Sequence, residues 1–189
     1  MIFKCRICGE KLKKIIKFNK ISLVGNFNKN KKKERKYPIS LNFCIKCYHV
    51  QIGEIINSDK LFKNYFWETG VSKTNLDLFK NLIKKIRKKI NKGNKILEIA
   101  SNDGSFLKFI KKKYKCTLVG VDPAMNLAKK LKGVKIIRNY YDHKLSKILN
   151  NKIGKFDFIF ARNVIAHVPN PNTVFKGISE NLNNNGIAI

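Results

Sequence analysis

The spacing of apolar residues divides the chain into three zones. Residues 1–58 show short alternations of apolar and polar positions, such as YPISLNF, and no helical period. Residues 59–93 favour helix, because the apolar residues of KTNLDLFKNLIKKIRKKINKG recur three and four positions apart until Gly93 ends the segment. We expect Asp59 to cap a shorter helix, DKLFKNYF, at the start of this second zone.

The third zone, residues 94–189, alternates between strand and helix patterns. The predicted strands cover residues 95–100, 117–121, 134–138 and 156–161, and a fifth begins at 187. The predicted helices cover residues 105–113, 124–131, 143–150 and 172–183. This alternation is typical of an α/β fold with a doubly wound parallel sheet, here of Rossmann-like type. Because the residues end inside a core strand, we expect the chain to be the N-terminal part of a longer protein.

Overall composition favours a globular protein, since 43% of the residues are hydrophobic. No run approaches the ~18 apolar residues that a membrane span needs, and the start MIFKCRIC lacks the features of a signal peptide. We therefore expect a cytoplasmic protein without a membrane partner. Nothing in the sequence specifies an oligomeric state.

The formal net charge of +29 raises the question of a polyanionic partner. The positive residues are mostly Lys and are spread over many predicted helix faces, whereas interfaces that read bases favour Arg and aromatic residues. Nucleic acid is therefore not the favoured partner. The densest run, NKNKKKERK at residues 28–36, is predicted to be a solvated loop between two cysteine pairs.

Four of the five cysteines form two C-x-x-C pairs, at Cys5, Cys8, Cys44 and Cys47. In a cytosolic chain such pairs indicate a metal site rather than disulfides. Four thiolates would complete the tetrahedral coordination of Zn²⁺, which gives the metal a structural role. The alternative is a set of unligated core thiols. We expect Cys116, in the apolar run CTLVGV, to be a buried core residue, and His49 to be a polar residue beside the second pair.

The segment LEIASNDGSFL, residues 97–107, is predicted to pass from a strand through a loop into a helix. Ligands of parallel sheets lie at this strand end, beside the helix N-terminus. The polar or flexible candidates here are Glu98, Ser101, Asn102, Asp103 and Gly104. Gly104 would allow close approach of the backbone to a ligand. The acidic strand end favours a cationic or hydroxyl-rich ligand, and S-adenosylmethionine combines a sulfonium, an ammonium and a ribose diol.

The next predicted strand ends in VGVDP, which puts Asp122 where a carboxylate could accept both ribose hydroxyls. The alternative is that Asp103 and Asp122 only cap the helices that follow them. After the fourth strand, FDFIFARNVIAHVPN continues beyond the same sheet edge with Asn163 and His167. Their position makes both residues candidates for the site, although a lone His is often structural.

Taken together, these motifs resemble the sugar C-methyltransferase family, whose members methylate carbon 3 of nucleotide-linked 4-keto sugars. The segments that carry the resemblance are CRICG, CIKCYHVQIG, YFWETGVS, LEIASNDGSFL, GVDPAMNLA and ARNVIAHVPN. The resemblance implies a Rossmann-like methyltransferase core, S-adenosylmethionine in the NDG turn and a nucleotide-sugar substrate.

It also implies a mechanism in which a base removes the proton alpha to the ketone and the resulting enolate attacks the sulfonium methyl. His167 matches the family's histidine after the fourth strand, and Tyr65 lies in the family's aromatic motif. Trp67 stands where a second tyrosine is common. A further Tyr-His-Glu-His-like cluster of the family would lie beyond Ile189, so we expect these residues alone to bind cofactor weakly and to turn over little.

Two other functions fit parts of the sequence. An RNA methyltransferase would use the zinc module and the basic surface on a polyanion, and its RNA affinity would fall steeply with salt. A non-enzymatic scaffold would carry the zinc module on a degenerate domain, and Asp122→Ala would then leave S-adenosylmethionine binding unchanged because none occurs.

Overall fold

The computed structural model describes residues 4–25, 35–127 and 131–189. Its N-terminal part is a three-stranded antiparallel sheet in the order β1-β2-β3. The strands are β1 (Lys13–Ser22), β2 (Lys36–Phe43) and β3 (Val50–Ile52). One C-x-x-C turn precedes β1 and the other connects β2 to β3. The basic run at residues 28–36 lies almost entirely outside the described residues.

Two helices, α1 (Ser58–Phe62) and α2 (Lys73–Ile86), lead into the second domain. The side chain of Asn57 caps α1, because its Oδ1 accepts a hydrogen bond from the backbone N of Asp59 at 2.8 Å. Asp59 is therefore the second residue of the helix and not the predicted cap.

The second domain is a five-stranded parallel sheet in the order β6-β5-β4-β7-β8. The strands are β4 (Lys95–Ile99), β5 (Thr117–Val121), β6 (Lys135–Ile137), β7 (Phe156–Phe160) and β8 (Leu182–Ala188). The connecting helices are α3 (Ser105–Lys111), α4 (His143–Ile153) and α5 (Pro171–Asn181). This arrangement confirms the predicted doubly wound α/β fold.

Two predicted elements differ from the structure. β8 begins at Leu182 rather than at residue 187, and it takes in the asparagine run that reads as a loop. In place of the start of the predicted helix over 124–131, residues 125–127 form a turn, and residues 128–130 lie outside the described residues.

Both faces of the parallel sheet are covered, and each face has its own apolar cluster. On one face Leu97 packs with side chains of α4 and α5, and on the other Ile96 packs with α2 and α3. Successive residues of a strand point to opposite faces, which explains why β4, β5 and β7 are almost continuously apolar. Among the described residues, no helix is long and apolar enough to cross a membrane.

Candidate active site and metal centre

A cavity of about 540 Å³ lies at the carboxyl ends of β4, β5 and β7. Its size is that of a typical small-ligand site, and this edge is where doubly wound sheets bind their ligands. Seven of the predicted site residues line it: Tyr65, Glu98, Ser101, Asn102, Asp122, Asn163 and His167. Residues separated by about one hundred positions in the chain thus meet in one space.

Glu98 forms the buried floor of the cavity at the end of β4, where its carboxylate pairs with Arg162 just after β7. The Arg162 guanidinium carbon also lies 4.1 Å from the ring centroid of Phe106 and 4.5 Å from that of Phe79. These faces stabilise the cation where water is largely excluded. Burial raises the pKa of Glu98 to about 7, and the attraction of Arg162 opposes this rise.

Three polar atoms around this pair are buried and lack a hydrogen-bond partner among the described residues. They are Glu98 Oε2, Ser101 Oγ and Arg162 Nε. Buried polar atoms of native proteins are nearly always paired, so unpaired atoms beside a cavity fit a site that receives a polar ligand. Acceptor oxygens of this kind suit the ammonium group of S-adenosylmethionine.

Asp122 is held at the end of β5 by two backbone donors. Its Oδ2 accepts from the N of Asn102 at 2.7 Å, and its Oδ1 accepts from the N of Ala124 at 2.8 Å. Burial raises the pKa of this carboxyl group, while the two hydrogen bonds act in the opposite direction. Each carboxylate oxygen keeps a second lone pair, so the group remains able to accept hydroxyl donors from the cavity.

The side chains of Asn102 and Asp103 contact the chain segment that precedes α2. Asp103 Oδ2 accepts from the N of Gly70 at 2.9 Å and from Ser105 Oγ at 2.7 Å. Asp103 does not line the cavity, and neither does Gly104. Gly104 has a φ of 73°, and a Cβ there would lie 2.4 Å from Leu131 Cδ1, so this glycine permits a close approach of a leucine.

Tyr65 and His167 both line the cavity, and the ring of each lies near the ring of Phe62. The Phe62 ring centroid lies 5.9 Å from that of Tyr65 and 6.4 Å from that of His167. His167 ends a short 3₁₀ helix, Ile165–His167, and Asn163 just before it has a φ of 51°. A phenol and an imidazole therefore line the same cavity as the acidic strand ends.

Sequence reasoning did not identify Arg162 as part of the site. A signal existed, because Arg162 follows the end of β7 as Glu98 approaches the end of β4, and neighbouring parallel strands end at the same edge. A buried acid at one strand end requires a cation nearby, and the ARN segment supplies it.

The metal centre is formed by the predicted cysteines Cys5, Cys8, Cys44 and Cys47, whose Sγ atoms all lie within 4.8 Å of one another. Cys5 Sγ is 3.5 Å from Cys47 Sγ, and Cys8 Sγ is 3.4 Å from Cys44 Sγ. Sulfurs bound at about 2.3 Å to a tetrahedral Zn²⁺ lie about 3.8 Å apart, so the donor set fits zinc. His49 is not a member of this cluster.

The two cysteine turns have the same backbone design. The N of Gly9 donates to the Cys5 carbonyl at 2.9 Å, and the N of Tyr48 donates to the Cys44 carbonyl at 2.8 Å. Gly9 and Tyr48, each directly after a second cysteine, have φ values of 78° and 59°. Backbone donors at Cys47 and Lys46 lower the pKa of the Cys44 thiol to about 7, whereas burial and the neighbouring thiols raise the pKa of Cys47 to about 12.

The metal centre touches the domain that carries the cavity. Asn172, in the first turn of α5, donates from Nδ2 to the carbonyl of Ile7 at 2.7 Å, and Ile7 lies between the first two cysteines. Asn170, two positions before Asn172, and Thr173, directly after it, line the cavity.

The two parts of the chain match two different protein families. Residues 72–189 match the family model described as "Methyltransferase domain". The chain belongs to this methyltransferase family. Residues 5–62 match the family model described as "Putative zinc binding domain", which agrees with the four-cysteine cluster. These matches confirm the methyltransferase core and the zinc module that the motifs predict.

A curated relative is the C-methyltransferase NovU of Streptomyces niveus, which is 25% identical over 194 residues. The match covers 98% of this chain and 46% of the relative, so this chain spans about half the relative's length.

Solved structures of similar fold include a SAM-dependent methyltransferase from Geobacter sulfurreducens in complex with S-adenosyl-L-homocysteine. It is 14% identical, with a TM-score of 0.43 over 58% of this chain and 45% of that chain. Another is phosphoethanolamine N-methyltransferase 2 of Haemonchus contortus in complex with S-adenosyl-L-methionine. It is 18% identical, with a TM-score of 0.42 over 57% of this chain and 27% of that chain.

Proposed function

We propose that this chain carries the cofactor site and part of the catalytic site of an S-adenosylmethionine-dependent C-methyltransferase that acts on a keto nucleotide-sugar. One observation supports this most directly: the acidic strand ends of β4 and β5 share a single cavity with Tyr65 and His167. A carbon methylation needs these two halves together, because a cationic methyl donor and a carbon acid must meet in one space.

The floor of the cavity suits the cofactor. Glu98 Oε2 and Ser101 Oγ are buried acceptors without partners among the described residues, and they fit the ammonium group. Asp122 keeps free lone pairs that fit the ribose hydroxyls. Asn102 and Asn163 also line the cavity and offer amide groups to the same ligand. When bound, S-adenosylmethionine supplies an electrophilic methyl group.

The chain's own groups supply the proton transfer. An imidazole exchanges protons readily near neutral pH, so we assign His167 as the base that removes the proton alpha to the ketone. We assign the Tyr65 hydroxyl, which belongs to the same cavity lining, as the donor for the enolate oxygen that develops on the substrate.

The zinc ion has a structural role in this proposal. Four thiolates fill its coordination shell and leave no open position for a substrate. Its contribution to the site is indirect, through the contact between the first cysteine turn and α5.

The cofactor part of the proposal is tested by titrating S-adenosylhomocysteine into the chain by isothermal titration calorimetry. We expect Asp122→Ala to weaken binding at least about tenfold, because two hydroxyl–carboxylate hydrogen bonds are lost. Asp77→Ala, which removes an exposed carboxylate of α2, is the matched control and should leave the affinity unchanged. Unchanged affinity in Asp122→Ala, or no binding by the parent chain, would contradict the assignment.

The substrate part is tested by methyl transfer from S-adenosylmethionine to a nucleotide-linked 4-keto sugar in single-turnover reactions with the protein in excess, because these residues alone are expected to turn over little. We expect His167→Ala to abolish transfer while its affinity for S-adenosylhomocysteine stays unchanged, since the base does not hold the cofactor. Methylation of RNA instead of the sugar, with RNA affinity that falls steeply with salt, would replace the proposed substrate by a polyanion.

A further inference from the structure

The segment between α1 and α2 lines part of the cavity, and we call its residues 63–70 the strap. Tyr65, Trp67 and Thr69 of the strap all line the cavity. Residues 65–68 form no helix or strand, Glu68 is extended, and Thr69 begins a short 3₁₀ helix, Thr69–Val71. Trp67 is the single tryptophan of the chain.

Several backbone groups of the strap bond to loops of the parallel-sheet domain. Tyr65 contacts Asn126 twice: its N donates to Asn126 Oδ1 at 2.9 Å, and its carbonyl accepts from Asn126 Nδ2 at 2.7 Å. The N of Met125 adds a hydrogen bond to the Lys63 carbonyl at 2.8 Å. One carboxamide thus pairs with both backbone groups of one residue, as a strand neighbour would.

Asn102 makes a second contact of the same kind further along the strap. Its Nδ2 donates to the Trp67 carbonyl at 3.0 Å, and its Oδ1 accepts from the N of Thr69 at 2.9 Å. A carboxamide is the side chain that offers one donor and one acceptor in a fixed plane, so it can replace a peptide group in such pairing. Asn102 and Asn126 therefore bind the strap through its backbone groups.

Both asparagines lie in loops at the same sheet edge as Asp122, Asn102 after β4 and Asn126 after β5. The backbone N of Asn102 donates to Asp122 Oδ2 at 2.7 Å, and Asn126 lies in the turn that follows Asp122. Any ligand that orders these loops also orders the two carboxamides, and these in turn fix the strap. Asp122 is thus connected to the strap through Asn102, whose backbone bonds to Asp122 and whose side chain bonds to the strap.

We propose that Asn126 and Asn102 are positioning residues that hold Tyr65 and Trp67 against the cavity and couple the strap to occupation of the loop at Asp122. The identity of the occupant rests on the proposed function, but the clamp itself does not. By linkage, a ligand at Asp122 strengthens the clamp, and the clamp strengthens binding of that ligand by the same factor.

The clamp is tested by hydrogen–deuterium exchange of the ligand-free chain, followed in peptides that cover residues 63–69. The Tyr65 amide donates directly to Asn126, so its exchange rate reports the fraction of released strap. We expect Asn126→Ala to raise this rate about tenfold, because two backbone hydrogen bonds are lost at once. Amides of β7 should exchange at the parent rate, which shows that the domain remains folded.

Two further variants separate the clamp from simple filling of space. Asn126→Asp keeps the shape and the acceptor for the Tyr65 amide, but it sets a carboxylate oxygen against the Tyr65 carbonyl. It should therefore release the strap as Asn126→Ala does, whereas a residue that only packs would tolerate it. Asn151→Ala removes an exposed asparagine of α4 and is the matched control, expected to leave the strap unchanged.

The coupling is tested by adding S-adenosylhomocysteine. In the parent chain it should slow exchange of the strap, and in Asn126→Ala its affinity should fall several-fold while the Asp122 carboxylate is still present. Parent-like strap exchange in both Asn126 variants would overturn the clamp. Faster strap exchange without any binding of S-adenosylhomocysteine would leave the clamp standing and contradict the proposed function. Binding with unchanged affinity in Asn126→Ala would overturn the coupling alone.

Discussion

The two domains of this chain are stabilised in different ways. The parallel-sheet domain buries large side chains on both faces of the sheet, including Phe79, Phe106, Ile96 and Leu97. Within residues 4–25 and 35–57, by contrast, no aliphatic or aromatic side chain is buried, and the buried residues with polar or sulfur side chains are Cys5, Cys44, Ser40, Asn42 and Gln51. The parallel-sheet domain folds by the hydrophobic effect, whereas the zinc module lacks such a core and needs a metal in its place.

The largest expected effect is therefore that of removing the metal. A structural zinc contributes on the order of 10 kcal/mol to folding of a small domain, which far exceeds what the module's other contacts supply. Cys44→Ser or a strong chelator should unfold β1 to β3, while β4 to β8 remain folded. Hydrogen–deuterium exchange checks this, since the amides of the antiparallel sheet should lose protection and those of the parallel sheet should keep it.

Cys116→Ser is the matched control for the loss of a thiol, because Cys116 lies outside the cluster. It should leave both the zinc content and the protection of the module unchanged. If the metal-free chain keeps its antiparallel sheet protected, the contrast between the domains is wrong.

The next effect concerns the buried ion pair in the parallel-sheet domain. Arg162→Ala leaves the Glu98 carboxylate buried without its cation, and such a loss costs about 3–5 kcal/mol of the free energy of unfolding. Urea denaturation measures it. The double variant Glu98→Leu with Arg162→Met should recover most of the loss, because no charge is then left in the interior.

The exposed pair Lys80–Asp77 on α2 gives the comparison for that ion pair. Lys80→Ala should shift the denaturation midpoint hardly at all, since solvent screens an exposed pair. Equal losses in Lys80→Ala and Arg162→Ala would show that burial does not set the strength of ion pairs in this domain.

A smaller effect is expected at Asn181, which is fully buried between α4 and α5. Its Oδ1 accepts from the Tyr141 hydroxyl at 2.7 Å, and its Nδ2 donates to the Ser146 carbonyl at 2.9 Å. Asn181→Ala leaves these groups buried and unpaired, which costs about 1–3 kcal/mol. Thermal unfolding should show the loss, and Asn151→Ala, at an exposed position of α4, should not.

A further comparison is the pH dependence of stability that Glu98 alone contributes. Its pKa is about 7 in the folded chain against an ordinary value of 4.5, so the folded state holds the proton more tightly. The resulting stability is complete below about pH 4.5 and is lost as the pH rises through 7.

Melting temperatures of the parent and of Glu98→Gln from pH 5 to 8 measure this contribution. The advantage of the parent over the variant should shrink as the pH rises, because glutamine does not titrate. All other groups are the same in both proteins, so their contributions cancel from the difference. An advantage that grows with pH would mean that Arg162, and not burial, dominates the pKa of Glu98.

Much of the parallel sheet could be predicted from the sequence, because its strands are buried on both faces and read as apolar runs. The start of β8 could not be predicted in the same way, because the strand contains Asn183, Asn184 and Asn185, and asparagine has a low strand propensity. A helix is predicted over residues 124–131, but residues 125–127 form a turn, and the Asn126 side chain in this turn bonds to the strap. A local period does not reveal such a long-range contact.

The site follows the same rule. The strand-end residues Glu98 and Asp122 could be predicted, because strand ends of a parallel sheet meet at one edge. The roles of Asn126 and of the Asn102 side chain could not, since they bond to residues 33 to 61 positions away, and no short motif encodes that distance. The role of each predicted site residue in binding or catalysis stays a prediction.

The lysines of β1, in the zinc module, contribute to the positive charge of the chain. β1 is exposed along its length and pairs with β2 alone among the described strands, which leaves a second row of backbone groups free to pair with another molecule. Such a strand, with Ile15, Ile16 and Phe18 exposed, is an aggregation hazard. Its lysines stand between these apolar residues and repel the same strand of a second copy. Part of the positive charge that first suggests a polyanionic partner thus lies where charge opposes edge-to-edge pairing of strands.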